Sequence, residues 1–147
     1  RVEKIWHDCI WCRESRLMAT RSRIAIETQS GSFLSAYHHW DGYPTGLGAN
    51  LVKNWTDYDK VYEAIELGDA STWGSDKESN FYYGRDRNES DTEPMTSENI
   101  MDLLERGFKA HEDYLYILST DGEWRYYWYH DLEACLSLND ELTEAVE

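Results

Sequence analysis

Apolar and polar positions alternate with a period of two in two stretches of the chain, and each stretch predicts a β-hairpin. Residues 23–28 and 33–40 form the first, around Gln29-Ser-Gly-Ser32, whose glycine suits a turn. In its second strand, alternation puts Phe33, Ser35, Tyr37 and His39 on one face and Leu34, Ala36, His38 and Trp40 on the other. Residues 114–119 and 124–130 form the second hairpin across Thr120-Asp-Gly-Glu123, where the Asp-Gly pair predicts a type I′ turn. Trp124, Tyr126, Trp128 and His130 share one face of the returning strand, and Arg125, Tyr127 and Tyr129 the other.

A helical period appears between the hairpins. Leu47, Leu51 and Trp55 are in step for a short first helix. Thr56 suits the N-cap of a second, with Asp57 and Asp59 near its positive end. Tyr58, Val61, Tyr62 and Ile65 follow helical spacing, and Gly68 stands where a C′ glycine belongs. Ser97 can cap a third helix through Arg106, burying Ile100, Leu103 and Leu104, with Gly107 at its end. Residues 80–85 predict a strand, and residues 131–147 one or two terminal helical turns. Leu51, Val61, Ile65, Leu103, Leu104, Leu115, Ile117 and Trp124 are the expected core. The order ββ-α-α-β-α-ββ-α predicts an α+β fold. Its antiparallel sheet has about five strands built from two hairpins, and helices pack mainly on one face.

Composition narrows the picture. A length of 147 residues fits one domain. Seven Trp and eleven Tyr supply large apolar areas where aliphatic residues are few. Acids outnumber Lys plus Arg by 29 to 14, a formal net charge of −15, which argues against direct nucleic-acid binding. The charge is uneven: residues 1–53 carry +2 and residues 54–147 carry −17. No apolar run is long enough to span a membrane, and no secretory leader pattern is present.

Residues 1–17 stand apart. They hold Trp6, His7, Cys9, Trp11 and Cys12 without a clear period, whereas Met18 opens a regular pattern. Met18 is therefore the expected start, with residues 1–17 as upstream read-through or a disordered extension and residues 18–147 as a single domain. Cys9-Ile-Trp-Cys12 lacks the four ligands of a structural zinc site, and Cys135 is distant. No metal and no cofactor are expected. Three cysteines fit a reducing compartment.

Two segments carry candidate chemistry. In His38-His-Trp-Asp-Gly-Tyr-Pro44, neighbouring histidines point to opposite faces, so they do not share one metal. His39 and Asp41 lie two apart and offer an imidazole and a carboxylate, with Tyr43 beside them. The plainer account is a turn shaped by Asp41, Gly42 and Pro44. In Asn80-Phe-Tyr-Tyr-Gly-Arg-Asp-Arg-Asn88, Arg85 and Arg87 follow three aromatics in an acidic half. Guanidinium forks onto phosphate and aromatic faces onto rings are what a small nucleotide-like ligand needs. The plainer account is pairing of both arginines with Asp86, Glu89 and Asp91. Arg21 and Arg23, two apart, extend a positive patch. His39, Asp41, Tyr43, Arg85, Arg87 and Arg23 are the expected ligand-binding residues, and no catalytic set is expected. No phosphate-cradling P-loop, dinucleotide glycine pattern, Gly-x-Ser-x-Gly elbow or His-Glu-x-x-His occurs.

Met18-Ala-Thr-Arg-Ser-Arg-Ile-Ala-Ile-Glu27 and Tyr37-His-His-Trp-Asp-Gly-Tyr-Pro-Thr-Gly-Leu-Gly48 resemble a family of small, mostly uncharacterised bacteriophage proteins. Ile65-Glu-Leu-Gly-Asp-Ala-Ser71, Tyr83-Gly-Arg-Asp-Arg87 and the aromatic hairpin extend the resemblance over residues 18–130. It implies a phage origin and action in the host cytoplasm, and it carries over no catalytic residue. The expected function is that of a phage accessory protein that interferes with its host by binding. Its partner is a small phosphorylated host molecule or a host protein. The alternatives are a small hydrolase centred on His39 and Asp41, and an acidic decoy that mimics DNA. An oligomer is compatible with the sequence.

Overall fold

The computed structural model describes residues 20–137. Met18, Cys9 and Cys12 lie outside the described residues, as do residues 138–147. The strands are β1 (Ser22–Glu27), β2 (Phe33–His38), β3 (Ala70–Thr72), β4 (Phe81–Tyr82), β5 (Met95–Ser97), β6 (Tyr114–Leu118), β7 (Trp124–Trp128) and β8 (Asp131–Ser137). The helices are α1 (Ala49–Asn54), entered through a π-turn at Pro44–Gly48, α2 (Tyr58–Glu66), α3 (Tyr83–Arg87) and α4 (Ile100–Lys109).

All eight strands join one open sheet in the order β4-β3-β2-β1-β6-β7-β8, with β5 pairing β2 beside β3. Both expected hairpins are present, β1 with β2 and β6 with β7. The fold is α+β, but the sheet is mixed rather than purely antiparallel, and it has more than five strands. β1 runs parallel to β6, and β2 parallel to β3. The chain covers the distance between β2 and β6 through helices and short strands, so the second hairpin docks on β1 in parallel register.

Neither hairpin uses a two-residue turn. Thr28 and Ser32, and likewise Ser119 and Glu123, close three-residue loops through N–H···O bonds of 2.8 and 3.0 Å. Gly31 and Gly122 take the left-handed third position at φ 89° and 87°, the next most favoured hairpin geometry after type I′.

The sheet separates two cores by strand alternation. On one face Ile24, Ile26, Ala36, Tyr116, Leu118 and Trp124 pack with Leu51 and Trp55 of the α1 segment and Val61, Ala64 and Ile65 of α2. On the other, Ala25, Phe33, Leu115 and Ile117 pack with Leu103 and Leu104 of α4. Helices therefore cover both faces, not mainly one. Every expected core residue is buried, the most exposed being Leu104 at 8%.

The helix caps fall one or two residues later than expected. Asp57, not Thr56, caps α2 by accepting from Asp59 and Lys60 N–H. Asn99, not Ser97, caps α4, because Ser97 is spent in β5 beside Phe33. Gly107 lies inside α4 rather than ending it. A Cβ there would collide with the Tyr129 hydroxyl and stand 2.7 Å from Glu112 Oε1, so the glycine permits close approach of the helix to Tyr129, just past β7, and to Glu112. Residues 131–137 form a strand on β7 instead of a helical turn. Residues 80–85 divide into two-residue β4 and the single turn α3.

Candidate functional site

β3 is the strand that assembles the site. Its Ala70 pairs with His38 of β2 on one side and with Tyr82 of β4 on the other. Beyond β2, His39 and Trp40 N–H donate to Ala70 and Ser71 carbonyls at 3.2 and 3.0 Å. Tyr83 N–H donates to Asp69 O at 3.1 Å. The two segments expected to carry chemistry thus meet at one corner of the sheet.

The Trp40–Pro44 turn is fixed by three backbone anchors. Gly42 N–H donates to Thr20 O at 3.1 Å, Leu47 N–H donates to Asp41 O at 2.9 Å, and the buried Tyr116 hydroxyl donates to Gly42 O at 2.6 Å. Asp41 takes a left-handed conformation at φ 55°, which an aspartate tolerates better than most residues. Its carboxylate accepts from the Tyr43 hydroxyl at 3.3 Å. Among the described residues, Asp41 makes no hydrogen bond to His39.

His39 has a different partner. The Tyr37 hydroxyl lies 2.6 Å from His39 Nδ1. Burial pushes Tyr37 up to about 12, and burial followed by the nearby Arg21 charge pushes His39 down, so the two meet as neutral groups. If the phenol donates, the imidazole proton sits on Nε2; if Nδ1 donates, the phenol proton is free. Either tautomer leaves one donor of the pair for another molecule.

Arg23 is on the same face but is already engaged. Its Nε donates to both carboxylate oxygens of Glu112 at 3.2 and 3.0 Å, its Nη2 lies 2.9 Å from Oε2, and its Nη1 donates to Ser35 Oγ at 3.1 Å. The Glu112 side chain is wholly buried, and burial pushes its carboxyl up while Arg23 pulls it down. Arg85 is also structural. It donates to Lys77 O and Asn80 O at 2.8 and 2.7 Å, forks onto Asp86, and lies over the Tyr82 ring. Arg87 pairs with Glu89 at 3.0 Å and sits over Tyr83, 5.7 Å from its ring centre. Arg21 alone among the described arginines makes no ion pair.

The corner is most conspicuous for its aromatics. Of the five exposed large apolar side chains among the described residues, Trp40, Tyr43 and Phe81 are here, at 47%, 39% and 40%; Met101 and Phe108 lie on α4. Phe81 pairs with Thr72, the neighbour of Ser71 that binds Trp40. The His39 and Trp40 rings meet edge to face, 4.7 Å apart. Sequence reading named His39 and Tyr43 and counted Phe81 among three stacking aromatics, but it did not give a binding role to Trp40 or Tyr37. Alternation had put Tyr37 and His39 on one face, and that was the available signal. Nothing local announces Glu112, 89 residues from Arg23. Two cavities lie elsewhere, and neither is lined by an expected site residue.

Behind the corner, on the opposite face, His38 is 2% exposed, with Nδ1 3.4 Å from Ser22 Oγ. Burial, then His39, pushes it down to about 3. Above about pH 6.5 neither folded nor unfolded chain protonates this ring. As pH falls below that, the unfolded chain takes a proton that the folded chain refuses, so stability falls. His38→Gln is expected to flatten the loss of urea stability between about pH 6.5 and pH 4, by a few kcal/mol at about 1.4 kcal/mol per unit. Parallel curves for wild type and variant would remove His38 as the cause.

No family model, curated protein or solved structure matches the chain.

Proposed function

We propose that the protein is a phage accessory protein that acts in the host cytoplasm by binding a host protein, through the corner formed by His39, Trp40, Tyr43, Phe81, Tyr83 and Arg87. The observation that carries this reading is that Trp40, Tyr43 and Phe81, all more than a third exposed, stand on the two segments that β3 joins. Isolated exposed apolar residues need no explanation, but a group rimmed by polar side chains marks an interaction surface. Trp, Tyr and Arg are the residues that dominate protein interface energetics. The rigid Trp40–Pro44 turn presents its rings with little conformational freedom left to lose, which favours binding. The resemblance to small phage proteins supports the biological setting.

Capture from bacterial lysate with the wild-type chain, Trp40→Ser/Phe81→Ser and Met101→Ser/Phe108→Ser tests this. One protein should be retained in stoichiometric amount by the wild type and by the α4 variant, and lost from the corner variant. Equal retention by all three would sink the reading.

A second reading, a small phosphorylated ligand, draws on Arg21. Its unpaired guanidinium is near enough to the Tyr37–His39 pair to shift both, and such a fork suits phosphate. A nucleoside monophosphate should then raise Tm in the wild type and not in Arg21→Ala. An equal rise in both would exclude Arg21. The hydrolase alternative has weaker geometric support, because Asp41 bonds Tyr43 rather than His39.

A further inference from the structure

At the other end of the β1–β2 hairpin lies a groove of about 440 Å³, lined by Thr28, Gln29, Tyr58, Asp59, Tyr62 and Glu63. That volume is in the range of small-ligand sites. Tyr58 and Tyr62 stand one helical turn apart on α2, and their rings form a near-parallel wall, 6.5 Å between centres at 27°. The Tyr58 hydroxyl donates to the Glu27 carbonyl, which fixes that ring against the sheet. Asp59 and Glu63 each follow one of the tyrosines and bring a carboxylate to the rim.

The lining contains no Lys, Arg or His. Lys77 reaches Glu63 at 3.2 Å, but both side chains are about half exposed, and such pairs contribute less than about 1 kcal/mol. A ligand cation can displace it. Burial, and after it the neighbouring Tyr62, Glu27 and Asp59, push the Tyr58 phenol up.

We propose that this groove binds an alkylammonium group. Aromatic faces attract a cation through the ring quadrupole, and weakly hydrated alkylated ammonium groups gain most from it. The two carboxylates add Coulomb attraction and repel anions, and a chain of net charge −15 steers cations inward. The group can belong to a free quaternary ammonium compound or to a methylated lysine side chain; the recognition chemistry is the same. The groove and the aromatic corner lie at opposite ends of β2, so this site does not depend on the host-protein reading.

Calorimetric titration with choline and with its uncharged carbon analogue separates charge recognition from apolar contact. Choline should bind saturably and at least about tenfold more tightly than the analogue, a difference of about 1.4 kcal/mol. Asp59→Asn/Glu63→Gln should weaken choline at least about fivefold with Tm little changed, since both positions are exposed. Tyr62→Leu should weaken it while keeping apolar bulk. Choline and a trimethyllysine-bearing peptide then assign the source by which binds more tightly. Absence of choline binding, equal binding of the uncharged analogue, or an unchanged affinity in the double amide variant would overturn the proposal.

Discussion

Glu112→Ala is expected to destabilise the fold by about 3–5 kcal/mol, because it leaves the Arg23 guanidinium largely buried without its carboxylate. The Arg23 side chain is 11% exposed and the Glu112 side chain has no exposure. Ser35 Oγ, itself fully buried, would be the guanidinium's only remaining hydrogen-bond partner among the described residues. The pair also ties β1 to the segment between α4 and β6, where Asp113 N–H donates to Arg21 O at 2.8 Å. Urea unfolding of the single variant checks the magnitude. A loss under about 1 kcal/mol would mean that water reaches the pair and screens it as it does a surface pair. Replacing both partners, as Arg23→Met/Glu112→Leu, should recover much of the loss, because an apolar pair leaves no orphaned charge.

Leu103→Ala and Ile117→Ala are expected to cost about 2–5 kcal/mol each. Leu103 is completely buried and Ile117 is 6% exposed, and both belong to the core between α4 and the sheet. That core is the smaller of the two and rests on one helix, so the surroundings of a deleted Leu103 have few other side chains to fill the space. The two residues share a cluster, and the double variant should depart from additivity. Unfolding free energies that change by less than about 0.5 kcal/mol at both sites would contradict the placement of α4 on this face.

The hairpins and the core were legible because alternation and helical spacing are local properties. Phe33 through His38 declare their two faces in sequence, and both faces are used as declared; Trp40, beyond the strand, departs from the alternation and meets His39. The parallel docking of β6 on β1 was not legible, since it depends on contacts between residues some 90 positions apart that no local period encodes. The caps slipped for a specific reason. Ser97 has good capping chemistry, but its backbone is claimed by pairing with Phe33, and tertiary pairing outweighs a cap worth about 1 kcal/mol. Residues 131–137 carry helix-compatible leucines, yet the free edge of β7 offers backbone pairing to Asp131 and to Cys135–Ser137, across a bulge.

The site was legible only as two separate segments. Their types were readable from His39, Tyr43, Arg85 and Arg87, while their juxtaposition was made by β3, a strand of three residues. Charge pairing decided the rest. Arg23, Arg85 and Arg87 all satisfy acids of the same chain, so the cations that suggested an anion site are committed at home, and the exposed rings remain.

The most direct measurement is oxidative footprinting of Trp40 and Phe81 in the free chain and in the complex captured from bacterial lysate. Trp55, Trp73 and Trp124 are buried already, so a change at Trp40 reads the corner alone. Trp40 and Phe81 should be modified in the free chain and protected in the complex, with Met101 and Phe108 on α4 modified equally in both. Protection of Met101 and Phe108 with Trp40 still open to oxidation would place the interface on α4 and contradict the account.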